Sequence, residues 1–252
     1  MKKNRKVYGD RGSKMQQKPV LDIHTHTIAS GHAYGTVREN ALGAKERGLV
    51  GLGVSDHAPG VPGTCDPIYF GNLHAIPRTL CGVSIYFGVE NNLQIDGSMA
   101  LDQPYLDRLD YNMVGIHGGP CYEDQGIVRN TDNLIRCMAH PKTFFVSHPD
   151  DGWFPLDYRQ IVQAAKAYGV ALEVNNAHVK HPWRKNCIEN IRTYLGFCME
   201  YGTPVFVGSD AHDPSQVGDF GAAIALLDDF GFDEALILNN SEEKFRAFIG
   251  FH

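Results

Sequence analysis

The sequence predicts an α/β chain folded as a single-domain (βα)7 barrel, on three observations. Seven short apolar runs rich in Val, Ile, Leu or Phe recur, each followed by a polar turn and a segment of helical spacing. The runs are almost continuously apolar, as parallel strands covered on both faces are. The 252 residues, 43% hydrophobic and 21% charged, suffice for one large domain and show no linker or low-complexity segment. A doubly wound open sheet is the alternative. No G-x-G-x-x-G follows the first strand and no G-x-x-x-x-G-K-[ST] occurs, so nucleotide-cofactor and P-loop readings lose their main support.

The strands are expected at 20–24 (VLDIH), 49–55 (LVGLGVS), 83–89 (VSIYFGV), 111–116 (YNMVGI), 143–147 (TFFVS), 170–174 (VALEV) and 204–208 (PVFVG). Helices are expected near 36–47, 72–80, 102–108, 130–139, 157–168, 186–201, 218–229 and 241–250. Thr36 and Glu39 fit a capping box for the first helix, whereas Ser241 and Lys244 do not for the last.

Charge is uneven along the chain. The net is −6, yet residues 1–18 hold seven Lys or Arg against one Asp, leaving 16 basic and 28 acidic residues, net −12, for 19–252. The basic stretch reads as a disordered or expression-derived arm, and 19–252 as the catalytic domain. An acidic body repels phosphate backbones, so no nucleic-acid surface is favoured. There is no apolar signal core and no membrane span, which places the protein in the cytoplasm. Six scattered cysteines without a C-x-x-C pair suggest neither a disulfide framework nor a thiolate metal site.

The chemistry gathers where the strands end, the face on which α/β barrels carry their sites. His24, His26 and His32 follow the first strand, His57 the second, Glu90 the third, His117 the fourth, His148 the fifth, and Asp210 and His212 the seventh. Seven of twelve histidines thus share one mouth with two carboxylates. In H-x-H both side chains point to one face, because the strand period is two, so His24 and His26 can share an ion. Imidazole and carboxylate without thiolate suit zinc, iron or manganese, and nine such groups would hold two or three ions. Such a cluster lowers the pKa of bound water and clamps the oxygens of a phosphate ester.

The stretches DIHTHTIASGHAYGT, GVSDHAPG, GVENN, GIHGGP, VSHP, LEVNN and VGSDAH, in this order across 20–250, resemble the PHP (polymerase and histidinol phosphatase) family, most closely its YcdX-type phosphatase branch. The resemblance implies a distorted (βα)7 barrel and three metal sites. His24, His26, Glu90 and Asp210 would hold one ion; Glu90, His117 and His148 a second; His32, His57 and His212 a third. Glu90 and His212 are the catalytic candidates. Zinc is the expected metal, two or three ions per chain, with manganese or iron as substitutes. The expected activity is a metal-dependent phosphomonoesterase acting on a small phosphorylated metabolite through metal-bound hydroxide at a trinuclear centre. A phosphodiesterase or exonuclease of the same family and a histidinol phosphatase are the alternatives, and a non-catalytic metal module is the least favoured. HGGPCYEDQG after the fourth strand departs from the branch pattern, which leaves substrate preference open.

Asn176, His181 and Arg184 follow strand six at the same mouth and are candidate substrate contacts or, equally, solvated loop residues; the Arg fork suits phosphate oxygens. Asp22 and Asp56 are candidates for orienting imidazoles or for ordinary strand-end hydrogen bonds. Trp153 and Trp183 either wall the pocket or pack its rim. His74, His140, His178 and His252 carry no assigned role, and a homo-oligomer stays open.

Overall fold

A computed structural model describes residues 15–251. Most of the basic arm, and His252, lie outside the described residues. At the arm's end the backbone N–H of Met15 donates to Asp228 at 3.1 Å, and those of Gln16 and Gln17 to Glu234 at 3.0 and 3.1 Å.

Each expected strand forms, with trimmed ends: β1 (Leu21–Asp22), β2 (Gly51–Val54), β4 (Val83–Phe87), β6 (Asn112–Gly115), β7 (Thr143–Val146), β8 (Ala171–Asn175) and β9 (Val205–Gly208). Two short strands join them, β3 (Thr79–Leu80) and β5 (Glu90–Asn92). The pairing order is β1-β2-β4-β3 in one sheet and β5-β6-β7-β8-β9 in the other, all parallel except β3 against β4.

The third expected strand is what divides the sheets. As β4 it pairs with β2 up to Phe87, and past Gly88 and Val89, its last residues, the chain continues as β5, outside the expected bounds, and pairs with β6. A Cβ at Gly88 would overlap the ring of Tyr111, which fills the barrel interior there and donates its hydroxyl to Ile23 O at 2.7 Å. The two seams are closed by single bridges, His57 to Glu90 on one side and Thr25 to Ala211 on the other. At the second seam the buried Asn239 stands in for a ladder: its amide donates to Leu21 O and Val207 O at 2.8 Å and its oxygen accepts from Val207 N at 3.0 Å. The result is the distorted (βα)7 barrel.

The helices are α1 (Val37–Glu46), α2 (Ile68–Asn72), α3 (Gln103–Leu106), α4 (Gly126–Met138), α5 (Tyr158–Tyr168), α6 (Asn176–Lys180), α7 (Cys187–Tyr201), α8 (Gly221–Phe230) and α9 (Glu242–Phe248). The Thr36–Glu39 capping box forms with both of its bonds, while Ser241 caps α9 by accepting from Lys244 N alone. The helix expected at 72–80 is not there. Pro77 removes a backbone donor in its middle, and the chain instead leaves α2 through a 3₁₀ turn into the β3-β4 hairpin. The two-residue turn of that hairpin, Cys81 and Gly82, has φ of 56° and 86°, which matches strand twist. None of the described helices is long and apolar enough to cross a membrane.

Alternation sorts the strand residues. Phe145, Ala171 and Phe206 point into the barrel beside Leu21, Ile23, Tyr86, Tyr111 and Met113, while Val146, Leu172, Val205 and Val207 face the helices. Phe245 of α9 closes the N-terminal end, its ring 4.9 Å from Tyr86 and 6.0 Å from Phe145. Burying such a ring stabilises the fold by about 1.5–3 kcal/mol. With one end plugged by aromatic rings, the polar residues of the strand ends converge on the other.

Candidate metal centre

His24 and His26 extend β1 and are both buried, with ring centroids 5.1 Å apart. Thr25 between them points the other way and donates to Gly53 O at 2.7 Å, as a period of two requires. Glu90, the first residue of β5, is the hub. Its Oε1 lies 3.4 Å from His24 Nε2, 3.3 Å from His117 Nε2 and 2.8 Å from His148 Nε2; its Oε2 lies 3.6 Å from His26 Nε2 and 2.8 Å from His57 Nδ1. Asp210 Oδ1 stands 3.2 Å from His26 Nε2 and 3.5 Å from His24 Nε2. His32 Nε2 and His212 Nε2 are 3.1 Å apart at the solvent side. All nine expected side chains therefore meet at one mouth. His148 and Asp210 reach it with φ of 27° and 55°, conformations that cost about 1–3 kcal/mol each and turn the chain at the strand end.

Hydrogen bonds behind the rings set which nitrogen faces inward. Glu173 Oε1 accepts from His24 Nδ1 at 2.7 Å, which in the neutral ring leaves the Nε2 lone pair aimed at Glu90 and Asp210. Ser30 Oγ donates to Asp56 at 2.7 Å, so it accepts from His26 Nδ1 at 3.0 Å and frees His26 Nε2 in the same way. The Asp210 carbonyl accepts from His212 Nδ1 at 2.9 Å. The lone pairs of His24 and His26 thus converge with the carboxylates of Glu90 and Asp210 at separations of 3.2–3.6 Å. Two ligands on one tetrahedral zinc, with bonds of 2.0–2.1 Å, stand roughly 3.3 Å apart.

A divalent cation fits this cluster on its unsatisfied atoms alone. His24 Nε2, His26 Nε2, His57 Nδ1, both Glu90 oxygens, both His117 nitrogens and His148 Nδ1 are buried without a hydrogen-bond partner. Buried polar atoms left bare cost free energy, and so many in one place point to a ligand that takes lone pairs. Groups of three donors within 4.8 Å are His24, His26, Glu90; His24, His148, Asp210; His57, Glu90, His117; and His26, His57, His212. His32 enters none of these four but adjoins them through His212 and through His57, whose ring stands 5.1 Å from its own.

Burial opposes charge on His24, yet Glu173, Glu90 and Asp210 around it hold its imidazole well above the ordinary histidine range, so a cation bound there would displace a proton. Burial, with repulsion from His57 and His212, holds His26 well below the ordinary histidine range, as a neutral ligand requires. Burial opposes charge on Glu90, but His117, His24, His57 and His148 around it hold its carboxyl well below the usual range. Burial likewise opposes charge on Asp210, and His24, His26 and His212 overcome it.

Some expectations change. Asp56 reaches an imidazole only through Ser30, and it also ties down Thr27 and the Tyr69 hydroxyl. Asp22 touches no imidazole. It accepts backbone N–H groups of His24, Ser209 and Gly218, and burial pushes its carboxyl up to about 6. Asn176 is not at the mouth but beneath it, buried, its oxygen accepting the N–H groups of Ala222 and Ala223 at the start of α8. His181 is exposed and does not line the cleft, because α6 carries it past the rim. Arg184 does line it, paired with the buried Asp151. His212 has Nδ1 on the Asp210 carbonyl and Nε2 3.1 Å from His32 Nε2, and it shares a donor group with His26 and His57. Glu90 has both oxygens turned to imidazoles.

Two residues at the site had no assigned part. Glu173 is the carboxylate behind His24; its Oε2 also accepts His148 N at 2.7 Å. A charged residue inside VALEV was the available signal. His178 lines the cleft, with Nδ1 2.8 Å from Asp150 and its ring 5.3 Å from that of His148. Nothing in the sequence marked it, because a five-residue helix sets its direction. His74 bonds locally to Gly71 O, and His140 bonds Gln103 of α3.

A (βα)7 barrel with imidazoles and carboxylates converging at its C-terminal mouth defines a class of metal-site enzymes. Comparison with known proteins narrows it. Residues 192–240 match the family model described as PHP-associated. The chain is 39% identical to a probable phosphatase of Acetivibrio thermocellus, covering 91% of this chain and 95% of that one, and 35% identical to a probable phosphatase of Caldicellulosiruptor saccharolyticus, covering 92% and 96%. Among solved structures it resembles histidinol phosphate phosphatase from Lactococcus lactis complexed with zinc, L-histidinol and phosphate, at a TM-score of 0.58 and 16% identity, covering 85% of this chain and 95% of that one. It also resembles a chain of archaeal ribonuclease P bound to mature tRNA, at a TM-score of 0.54 and 12% identity, covering 92% and 90%. At such identities the structural likeness speaks for the fold. The chain belongs to the PHP family.

Proposed function

We propose that the protein, a phosphoesterase of the PHP family, is a phosphomonoesterase of its YcdX-type branch, using a trinuclear zinc centre on a small phosphorylated metabolite. The observation that carries this reading is the set of buried, unpartnered ligand atoms around Glu90. His24, His26, Glu90 and Asp210 would hold one ion, Glu90, His117 and His148 a second, and His32, His57 and His212 a third, with manganese or iron able to replace zinc. Bound there, the ions supply hydroxide at neutral pH and neutralise charge on the phosphate oxygens.

The chain's own residues do the rest. Glu173 and Ser30 hold His24 and His26 in the tautomer that presents Nε2. The cleft above the cluster, about 480 Å³ and open to solvent, admits a small ester and lets water protonate the leaving oxygen. Arg184 is the one Lys or Arg among the described cleft-lining residues, and Asp151 already neutralises it. That favours one phosphate on a small molecule over a phosphodiester backbone, which needs a row of cations. Zinc in the phosphatase neighbour from Lactococcus lactis, and the names of the relatives, support the same assignment. All six cysteines are free, which fits a reducing cytoplasm.

The test is to strip the protein with chelator, reload it with zinc, manganese or iron, and assay monoesters against a matched diester with metal content measured on the same sample. Monoester hydrolysis that returns with metal, and is abolished in folded Glu90→Ala, is expected. Full activity in the stripped protein, or in Glu90→Ala, would sink the proposal.

A further inference from the structure

Two tryptophans, Trp153 and Trp183, are the only ones in the chain; Trp183 lines the cleft and Trp153 stands beside it, 60% and 48% exposed with ring centroids 5.5 Å apart. Leaving two large apolar rings in water at one spot forgoes burial that either would gain elsewhere. They are connected to the metal cradle by successive ring contacts: His148 to His178 at 5.3 Å, His178 to Trp183 at 6.3 Å.

Their position is held from below. Asp151, nearly buried, accepts the backbone N–H of Trp153 at 3.0 Å with one oxygen and pairs with Arg184 through the other. The Arg184 guanidinium in turn lies 4.5 Å from the centre of the Trp183 ring. The two loops are tied together where Gly152 N donates to Lys185 O at 3.0 Å, a contact so close that a Cβ at Gly152 would overlap the Lys185 carbonyl. The exposed indoles are therefore set on braced loops, beside Arg184, the one Lys or Arg among the described cleft-lining residues, which is already neutralised.

We propose that the leaving group of the substrate carries a planar aromatic or heteroaromatic ring that stacks on Trp183, so that the enzyme takes singly phosphorylated, ring-bearing alcohols. The inference rests on the monoesterase reading of the same cleft. A flat ring gains from stacking on indole, and a saturated ring of similar size gains less. Among the described residues lining the cleft, a second phosphate would find no unpaired Lys or Arg.

The comparison is between 2-phenylethyl phosphate and 2-cyclohexylethyl phosphate, whose alcohol leaving groups are alike, on the zinc-loaded protein. The planar ester is expected to win by roughly tenfold in kcat/KM, the size of one stacking contact. Trp183→Ala should bring that ratio close to one, and Trp183→Phe, which keeps a flat face, should retain most of it. Because Trp183 lines the cleft with Trp153 beside it, binding of the unhydrolysable 2-phenylethylphosphonate should also change tryptophan emission, and the cyclohexyl analogue should change it far less. Equal cleavage of both esters with no emission change would overturn the stacking inference alone. Cleavage of neither ester, nor of any other monoester, would overturn the monoesterase reading itself.

Discussion

Replacing Glu173 with glutamine removes one charge and almost no volume, and the geometry forces a definite outcome. In the native protein Glu173 Oε1 accepts from His24 Nδ1 at 2.7 Å, while Oε2 accepts from His148 N at 2.7 Å and the Asn175 amide at 3.2 Å. A glutamine has one oxygen for these partners. If the oxygen faces His24, its NH2 meets the His148 N–H and the Asn175 amide, and donors oppose donors. If the NH2 faces His24, the ring must accept at Nδ1, its proton moves to Nε2, and the lone pair aimed at Glu90 is lost. The first arrangement leaves buried donors unpaired, at about 1–3 kcal/mol; the second abolishes a ligand. Partners that orient a ligating imidazole are typically worth 10–100-fold in metal affinity. Zinc affinity, read by competition with a chromogenic chelator on protein whose fold is checked by circular dichroism, should fall by that factor. The midpoint of thermal unfolding of the stripped protein should fall by roughly 2–12 °C, at about 2–4 °C per kcal/mol for a domain of this size. A folded Glu173→Gln that binds zinc as the wild type does would refute the tautomer argument.

Gly208→Ala attacks the same contact sterically, since its Cβ would overlap Glu173 Oε1 and lie 3.1 Å from the Cβ of His24; zinc affinity should drop with about 1–3 kcal/mol of stability, and unchanged values of both would contradict the placement. Chelating the metal should cost roughly 4 kcal/mol at a free zinc concentration a thousand times the dissociation constant, a fall of about 8–16 °C in midpoint by calorimetry; an unchanged midpoint would mean that the bare buried atoms are not metal ligands. Asn176→Ala removes the oxygen that accepts two N–H groups at the start of α8, so unfolding should become easier by about 1 kcal/mol with kcat/KM kept within about twofold. Loss of turnover at wild-type stability would restore Asn176 as a substrate contact.

The seven main strands, the mouth at which chemistry gathers, and the pairing of His24 with His26 follow from patterns local to the chain, whereas β3, β5, α2 and α6 were not expected and the helix at 72–80 does not form. Strand parity is a property of successive residues, and a ligand three residues after an apolar run lands at a strand end in any barrel. The break of the third strand was not local. It depends on Tyr111, from the next strand, filling the space beside Gly88. Glu173, Asp56 and Asn176 illustrate the same division. Each was visible as a polar residue near a strand end, but its role is set by its partner: His24 lies 149 residues from Glu173, Ser30 lies 26 from Asp56, and Ala222 lies 46 from Asn176. A hydrogen bond constrains direction as well as distance, and direction across a barrel is fixed only when the sheet closes. Residue types and their order therefore determined which groups could bind metal, while closure of the barrel decided which imidazole nitrogen faces the centre, which carboxylate stands behind it, and which two indoles are left in the open beside it.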